Sequence, residues 1–387
     1  MADRRICFIT GARSEYDILF PVIRACQETP GLSPFVIAGA GHLSRLHGHT
    51  IDLIEADGVT IAATIESLLA SDSWNGRALS FGSFFEGLCR ALPQHKADLL
   101  VVAGDREEAL AGALAGNFLR TPVAHLFGGD RCIASDVDEV FRPAISKLAH
   151  LHFAANEAHR DRLIKMGESA DHVWNVGATS LDRLADEPLL NLAALESHFG
   201  TPLTSPYFLV IHHPSPAFNA DATAAEMEAV LDGVLAAGYP VFCSYPNFDP
   251  GNIAMREVIE RARVRHQNLY IFSTLPRAIF VNLFRHCAAI VGNSSAILIE
   301  APFLKVPGVL VGPRQDLRDR GGNIIPVGFD AVAIAAACRH AADNADFRAR
   351  VKADPSPYGD GASARRIAEL LAHVPVGPEL LIKTMTY

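Results

Sequence analysis

Short apolar runs recur along the chain, each closed by glycine or a polar cluster and followed by residues that place leucine and alanine at helical spacing. Residues 5–10 (RICFIT) form the first run, SPFVIAGAGHLS the second and GVTIAATIES the third, with a helix expected over FGSFFEGLCRALPQ. LLVVAG at 99–104 and PVAHLFGG at 122–129 repeat the pattern, and a helical-looking VFRPAISKLAHLHF comes after them. Runs of Val, Ile and Leu without polar alternation suit strands covered on both faces, as parallel sheets require. VWNVGATSLDRL supplies a last strand and turn, so a doubly wound parallel sheet is predicted through about residue 180. Leucines at helical spacing, followed by a Pro/Thr/Ser cluster, mark 183–206 as the linker region. The alternation then restarts with YFLVIHHPSP, a helix over ATAAEMEAVLDGVLAAG, YPVFCSYPNFD and LYIFSTLP. A helix over RAIFVNLFRHC, then AAIVGNSSAILIEAPFLK and PGVLVGPRQDLRDRGGN, continue it, and SPYGDGASARRIAELLAHV ends it as a loop and final helix.

Length and charge narrow the picture. At 387 residues the chain exceeds one typical core, so two α/β domains are expected. A net charge of −9 argues against a nucleic-acid binder that relies on a general basic surface. An anionic ligand must then meet locally concentrated arginines. The seven cysteines are scattered with no C-x-x-C, which points to reduced, mostly buried thiols. The opening MADRRICFITGARSEYD is unlike a signal peptide, and no apolar run approaches a membrane span, so a cytoplasmic protein without membrane contact is expected.

Candidate chemistry gathers where strands end. Asp105 to Glu108 follow LLVVAG, Asp130 follows Gly128-Gly129, and Asp136, Asp138 and Glu139 precede the next helix. Each cluster alone reads as a helix start, where acids favour the positive dipole end. Three at consecutive strand exits read as one pocket, because open parallel sheets bind ligands beyond the carboxyl ends of their strands. The spacing of Asp136 and Asp138 also matches a metal-binding D-x-D, although two acids so spaced are common by chance. Gly11-Ala12-Arg13 opens a helix with backbone N–H groups and a guanidinium suited to phosphate, or simply makes a turn. His213, after His212 and before Pro214, ends a strand where it donates to phosphate, shuttles a proton, or merely caps the strand. Gly292-Asn293-Ser294-Ser295 offers helix capping or an anion site, and Arg314, Gln315 and Arg318 a bidentate grip on phosphate or a solvated loop.

Taken in order, GARSEYD, AGHLS, AGDRE, HLFGGD, DEVFRPAISKLAH, NVGATSLD, HHP, YPNFD, GNSS…IEAP, RQ with Arg318, and PYGDG resemble the UDP-N-acetylglucosamine 2-epimerase family nearly end to end. The likeness is to its hydrolysing branch, used in sialic and legionaminic acid biosynthesis. The resemblance implies a GT-B architecture, two Rossmann-like doubly wound domains facing a central cleft, over 1–185 and 206–365, with 366–387 packing back on the first. It implies no metal and no cofactor, a nucleotide-sugar partner and a homo-oligomer (dimer or tetramer). It makes Asp105, Asp130, Asp138, Glu139 and His213 the catalytic candidates. Arg13, His42, Arg106, Arg142, Asn247, Asn293, Ser294, Ser295, Glu300, Arg314, Gln315 and Arg318 become the substrate-binding candidates. A non-hydrolysing epimerase, a GT-B glycosyltransferase and an inactive nucleotide-sugar binder are the alternatives. The chain departs from the family pattern at Asp130 (usually Glu), Ala296-Ile297 (Ser-Gly), Leu317 (Gly) and Pro143 (often His).

Overall fold

A computed structural model describes residues 3–386 except 46–47, 70, 72, 133–136, 201–202, 204–205, 216–219, 247–250, 274 and 385, and omits the side chains of 138 and 220. Strand residues point alternately to the two faces of a sheet, and the first strand, β1 (Arg4–Thr10), is apolar on both. Ile6 and Phe8 enter one core layer, while Cys7 and Ile9 enter the layer on the opposite face. Such a strand must be central. It pairs in parallel with β2 (Leu32–Gly39) on one side and β4 (Leu99–Ala103) on the other. With β3 (Ile61–Ile65), β5 (Val123–Leu126), β6 (Leu151–Ala154) and β7 (Val173–Asn175) it forms a parallel sheet ordered 3-2-1-4-5-6-7.

The second sheet follows the same rule. β8 (Phe208–Ile211), β9 (Val241–Ser244), β10 (Leu269–Phe272), β11 (Ala289–Gly292), β12 (Gly308–Val311) and β13 (Ile324–Val327) run parallel in the order 10-9-8-11-12-13. Each sheet therefore reverses its direction of growth once, between β1 and β4 in the first and between β8 and β11 in the second. Adjacent connections there leave the sheet to opposite faces and open a crevice beyond the strand ends.

The chain divides into two compact units. Unit 1 comprises Met1–Asp130, Asp136–Arg183 and Gly359–Tyr387, and unit 2 comprises Arg131–Ser135 and Leu184–Tyr358. The helix Ser363–His373 lies in unit 1, where Ala364, Ile367, Ala368 and Leu371 recur at helical spacing and pack against the helix Arg13–Glu28. Asp182 accepts from the N–H groups of Ser363 (3.1 Å) and Ala364 (2.6 Å), satisfying donors that a helix start leaves free.

One expectation from periodicity is corrected. The apolar tail of VFRPAISKLAHLHF is not helical: the helix ends at Leu148, and Leu151–Ala154 is β6, buried throughout. A four-residue apolar run carries no period that separates strand from helix. The linker region carries the helix that its leucine spacing predicts. Leu192–Phe199 is a helix, and Arg285, Asn282 and His286 hydrogen-bond the backbone of 184–190, fastening it to unit 2.

Candidate active site

In unit 1 the turn after β4 carries Asp105 and the turn after β5 carries Asp130. The second turn depends on Gly129, whose φ is +79° and where a Cβ would lie 2.3 Å from the His159 carbonyl oxygen. The helix Asp138–Leu148 presents Arg142 from within, at 2% exposure. Its guanidinium donates to the Asp105 carboxylate, to Glu139 Oε1 (3.1 Å) and to the Asp130 carbonyl oxygen (3.1 Å). The guanidinium's rigid planar fork of donors fixes the directions in which these acceptors are held. The Asp130 carboxylate itself turns to buried His159, 3.3 Å from Nε2.

At the β1/β4 crossover lies a second acid pair. Glu15 Oε2 accepts from the N–H groups of Gly11 (2.7 Å) and Ala12 (3.2 Å), and Arg106 Nε donates to Glu108 (3.2 Å). Burial, then the nearby Glu108 charge, push the Glu15 carboxyl up to about 8, with Arg106 and the two N–H groups opposing.

Unit 2 is built around Gly292, at the end of β11 with φ +134°. A Cβ there would sit 2.1 Å from the Ile211 carbonyl oxygen. That close approach lets Asn293 reach across the β8/β11 crossover. Its Oδ1 accepts from His213 N–H and its Nδ2 donates to the His213 carbonyl, both at 2.8 Å. Gln315 Nε2 donates to the Asn293 carbonyl (2.9 Å), and Arg318 Nη1 donates to Gln315 Oε1 (3.0 Å). Burial, then the charges of Arg314 and His212, hold the His213 ring neutral, with its pKa down at about 3. Burial also raises Glu300 to about 7 against the pull of Arg318 and Arg277.

A profile of the UDP-N-acetylglucosamine 2-epimerase family matches residues 24–372. The chain belongs to that family. It is 32% identical over 384 residues to the UDP-N,N'-diacetylbacillosamine 2-epimerase (hydrolyzing) of Legionella pneumophila, covering 99% of this chain and 100% of that protein. It is 29% identical over 327 residues to the GDP/UDP-N,N'-diacetylbacillosamine 2-epimerase (hydrolyzing) of Campylobacter jejuni, 84% of each chain. Within the family it sides with this hydrolysing branch. The crystal structure of the Neisseria meningitidis UDP-GlcNAc 2-epimerase bound to UDP-GlcNAc has the same fold, with a TM-score of 0.80 at 20% identity over 95% of this chain and 99% of that one.

In this epimerase-family enzyme the expected residues fall into two groups. Asp105, Asp130, Glu139 and Arg142 meet in unit 1, while His213, Asn293, Gln315, Arg314 and Arg318 are linked in unit 2. Ser294 caps the short turn Ser295–Ile297 by accepting from Ala296 N–H (3.3 Å). Arg106 faces Glu108, and exposed Arg13 lies 3.7 Å from Asp17. His42 is placed otherwise than expected: it is wholly buried, with its ring nitrogens on Thr10 Oγ1 (2.9 Å) and Thr50 Oγ1 (2.8 Å), so both polar edges are occupied by protein. The Gly11 and Ala12 N–H groups, expected to be open to phosphate, are taken by Glu15. Asn247, Asp136 and the side chain of Asp138 lie outside the described residues. Sequence reasoning missed Glu15 and His159; for Glu15 the signal was its place as the third residue of its helix, where an acid reaches back to free N–H groups. Among the described residues no helix is long and apolar enough to cross a membrane. None of the seven cysteines is in a disulfide.

Proposed function

We propose that this enzyme converts a UDP- or GDP-linked 2-acetamido sugar, such as UDP-GlcNAc or UDP-N,N'-diacetylbacillosamine, to the free C2 epimer and nucleoside diphosphate. The C2 proton is not acidic in the bound sugar, since no carbonyl adjoins it. It becomes removable as the C1–O bond breaks, its electron pair leaves on the diphosphate and positive charge grows at C1. A carboxylate takes the proton, C1=C2 forms, and the intermediate is a 2-acetamidoglycal. Water then adds its hydroxyl at C1 as a second group gives its proton to the opposite face of C2 and is reprotonated by the proton that water releases. Asp105, Asp130, Asp138 and Glu139 are the acid–base candidates. The observation that carries this reading is the gathering of Asp105, Glu139 and the Asp130 turn on the single buried guanidinium of Arg142.

Leaving-group stabilisation falls to unit 2, where Arg314, Arg318, Ser294 and Ser295 offer charge and hydroxyls. A neutral His213 is suited to donate one hydrogen bond there without adding charge. Incubating UDP-GlcNAc, GDP-GlcNAc and UDP-N,N'-diacetylbacillosamine with the enzyme in D2O, read by NMR, should give free sugar with deuterium at C2. Asp105→Asn should cut turnover at least about a hundredfold. Nucleotide still attached to the epimerised sugar would make the enzyme non-hydrolysing, and loss of nucleotide without deuterium at C2 would make it a simple hydrolase or transferase.

The same reading places the enzyme in the cytoplasm, making precursors of sialic or legionaminic acid type, as a homo-oligomer. Trp74 and Phe118 in unit 1 are 74% and 73% exposed, and Phe118 packs edge-on against Phe85, which stacks on Phe81. Such a solvent-facing aromatic group favours self-association. Light scattering that returned 41.6 kDa would refute it.

A further inference from the structure

Behind the acids of unit 1 lies a buried polar cluster that the chemistry above does not use. Glu168 is 1% exposed, and its carboxylate receives Lys147 Nζ (2.7 Å), His152 Nε2 (3.0 Å) and Lys383 Nζ (2.6 Å). Lys383 arrives from a segment far along the chain. Thr386 anchors that segment, its N–H donating to the Gly167 carbonyl (3.2 Å) and its hydroxyl to the Glu168 carbonyl (3.3 Å). The Lys383 ammonium also donates to the carbonyls of Ser146 (3.1 Å), Lys147 (2.8 Å) and Ala149 (2.6 Å). Ser146 and Lys147 stand in the last turn of the helix Asp138–Leu148 and Ala149 directly follows it, and a cation is favourable at that end.

From Ser146 the cluster runs forward to the acids. Ser146 Oγ lies 3.1 Å from both the Arg142 carbonyl and His125 Nδ1. His125 Nε2 lies 2.8 Å from the Gly104 carbonyl, which can only accept, so that nitrogen carries the proton and Nδ1 is an acceptor; the one Ser146 hydroxyl proton is shared between Nδ1 and the Arg142 carbonyl. Gly104 precedes Asp105, and Arg142 holds Asp105. One end of the cluster thus fixes the backbone of the acid, and the other fixes the helix that carries its guanidinium partner.

We propose that Lys383 is a positioning residue for the reaction, setting the Asp105–Arg142 pair through the end of the helix Asp138–Leu148, Ser146 and His125. The inference rests on the assignment of Asp105 to the chemistry. Burial opposes the charge on Glu168, yet the donors from His152, Lys147 and Lys383 hold its pKa at about 2, so the carboxylate that receives Lys383 is ionised across the working pH range.

The test compares full-length Lys383→Met, Lys383→Arg and Lys383→Met/Glu168→Gln, the last leaving no uncompensated carboxylate. UDP-N,N'-diacetylbacillosamine and UDP-GlcNAc serve as substrates. A small displacement of reacting groups costs up to a hundredfold. Both Met variants should therefore lose at least tenfold in kcat with KM within twofold, while Lys383→Arg, which keeps a cation, stays within threefold. In an Asp105→Asn background the same Met substitution should change kcat less than twofold, because the pair it positions is already gone. The Arg142 Nε–H resonance, assigned with Arg142→Lys, should shift in both Met variants whether or not turnover is observed. A folded Lys383→Met/Glu168→Gln enzyme with parental kcat, or an unmoved Arg142 resonance, overturns the inference. Parental turnover by Asp105→Asn would instead overturn the functional reading beneath it.

Discussion

Replacing Arg142 by Met removes the guanidinium but keeps most of its aliphatic bulk. The Arg142 side chain is 3% exposed, and its partners Asp105 and Glu139 are 24% and 33% exposed. Breaking a buried ion pair by deleting one partner costs about 3–5 kcal/mol, because the remaining charge is left uncompensated. The partly wetted acids put Arg142→Met near the lower end, about 3 kcal/mol. For a unit of 150–250 residues each kcal/mol lowers Tm by about 2–4 °C, so the expected loss is about 6–12 °C. Neutralising one orphaned acid should recover part of it: Arg142→Met/Asp105→Asn should be more stable than the sum of the single changes predicts, by about 1 kcal/mol or more. Scanning calorimetry on the four proteins completes the cycle. A loss under about 2 °C, or strict additivity, would show that Arg142 does not hold these acids and would dissolve the hub described here.

Glu15 gives a pH signature. Its native pKa of about 8 lies above the ordinary 4.5, so the folded protein binds that proton more tightly than the unfolded chain. The stabilisation is full below pH 4.5 and is lost as pH rises through 8. Glu15→Gln, which copies the neutral carboxyl, should remove this decline; a Tm difference from parent that stays flat from pH 5 to 9 would contradict it. Gly292→Ala should destabilise unit 2 by about 2–4 kcal/mol through strain and the clash with the Ile211 carbonyl, and should abolish turnover by displacing Asn293 from His213. Thermal melts and the NMR assay read both effects.

Much of the fold was legible because the strands are mostly short apolar runs closed by glycine or a polar cluster, and both sheets are parallel and covered on two faces. Those are local properties, and they also placed Asp105, Asp130, His213 and Asn293 at strand exits. β6 escaped because four apolar residues have no distinguishing period, and the 184–190 stretch escaped because its order comes from side chains about a hundred residues away. The sequence by itself therefore determined which segments end at the reactive edge of each sheet. Only the tertiary structure decided what each polar group faces there: Glu15 filling the Gly11 and Ala12 N–H groups, Arg142 joining three segments, and His42 closed off between two threonines. A hydrogen bond or ion pair depends on a separation of a few ångströms and on exclusion of water, and both are settled when distant parts of the chain pack together, not by the order of residues along it.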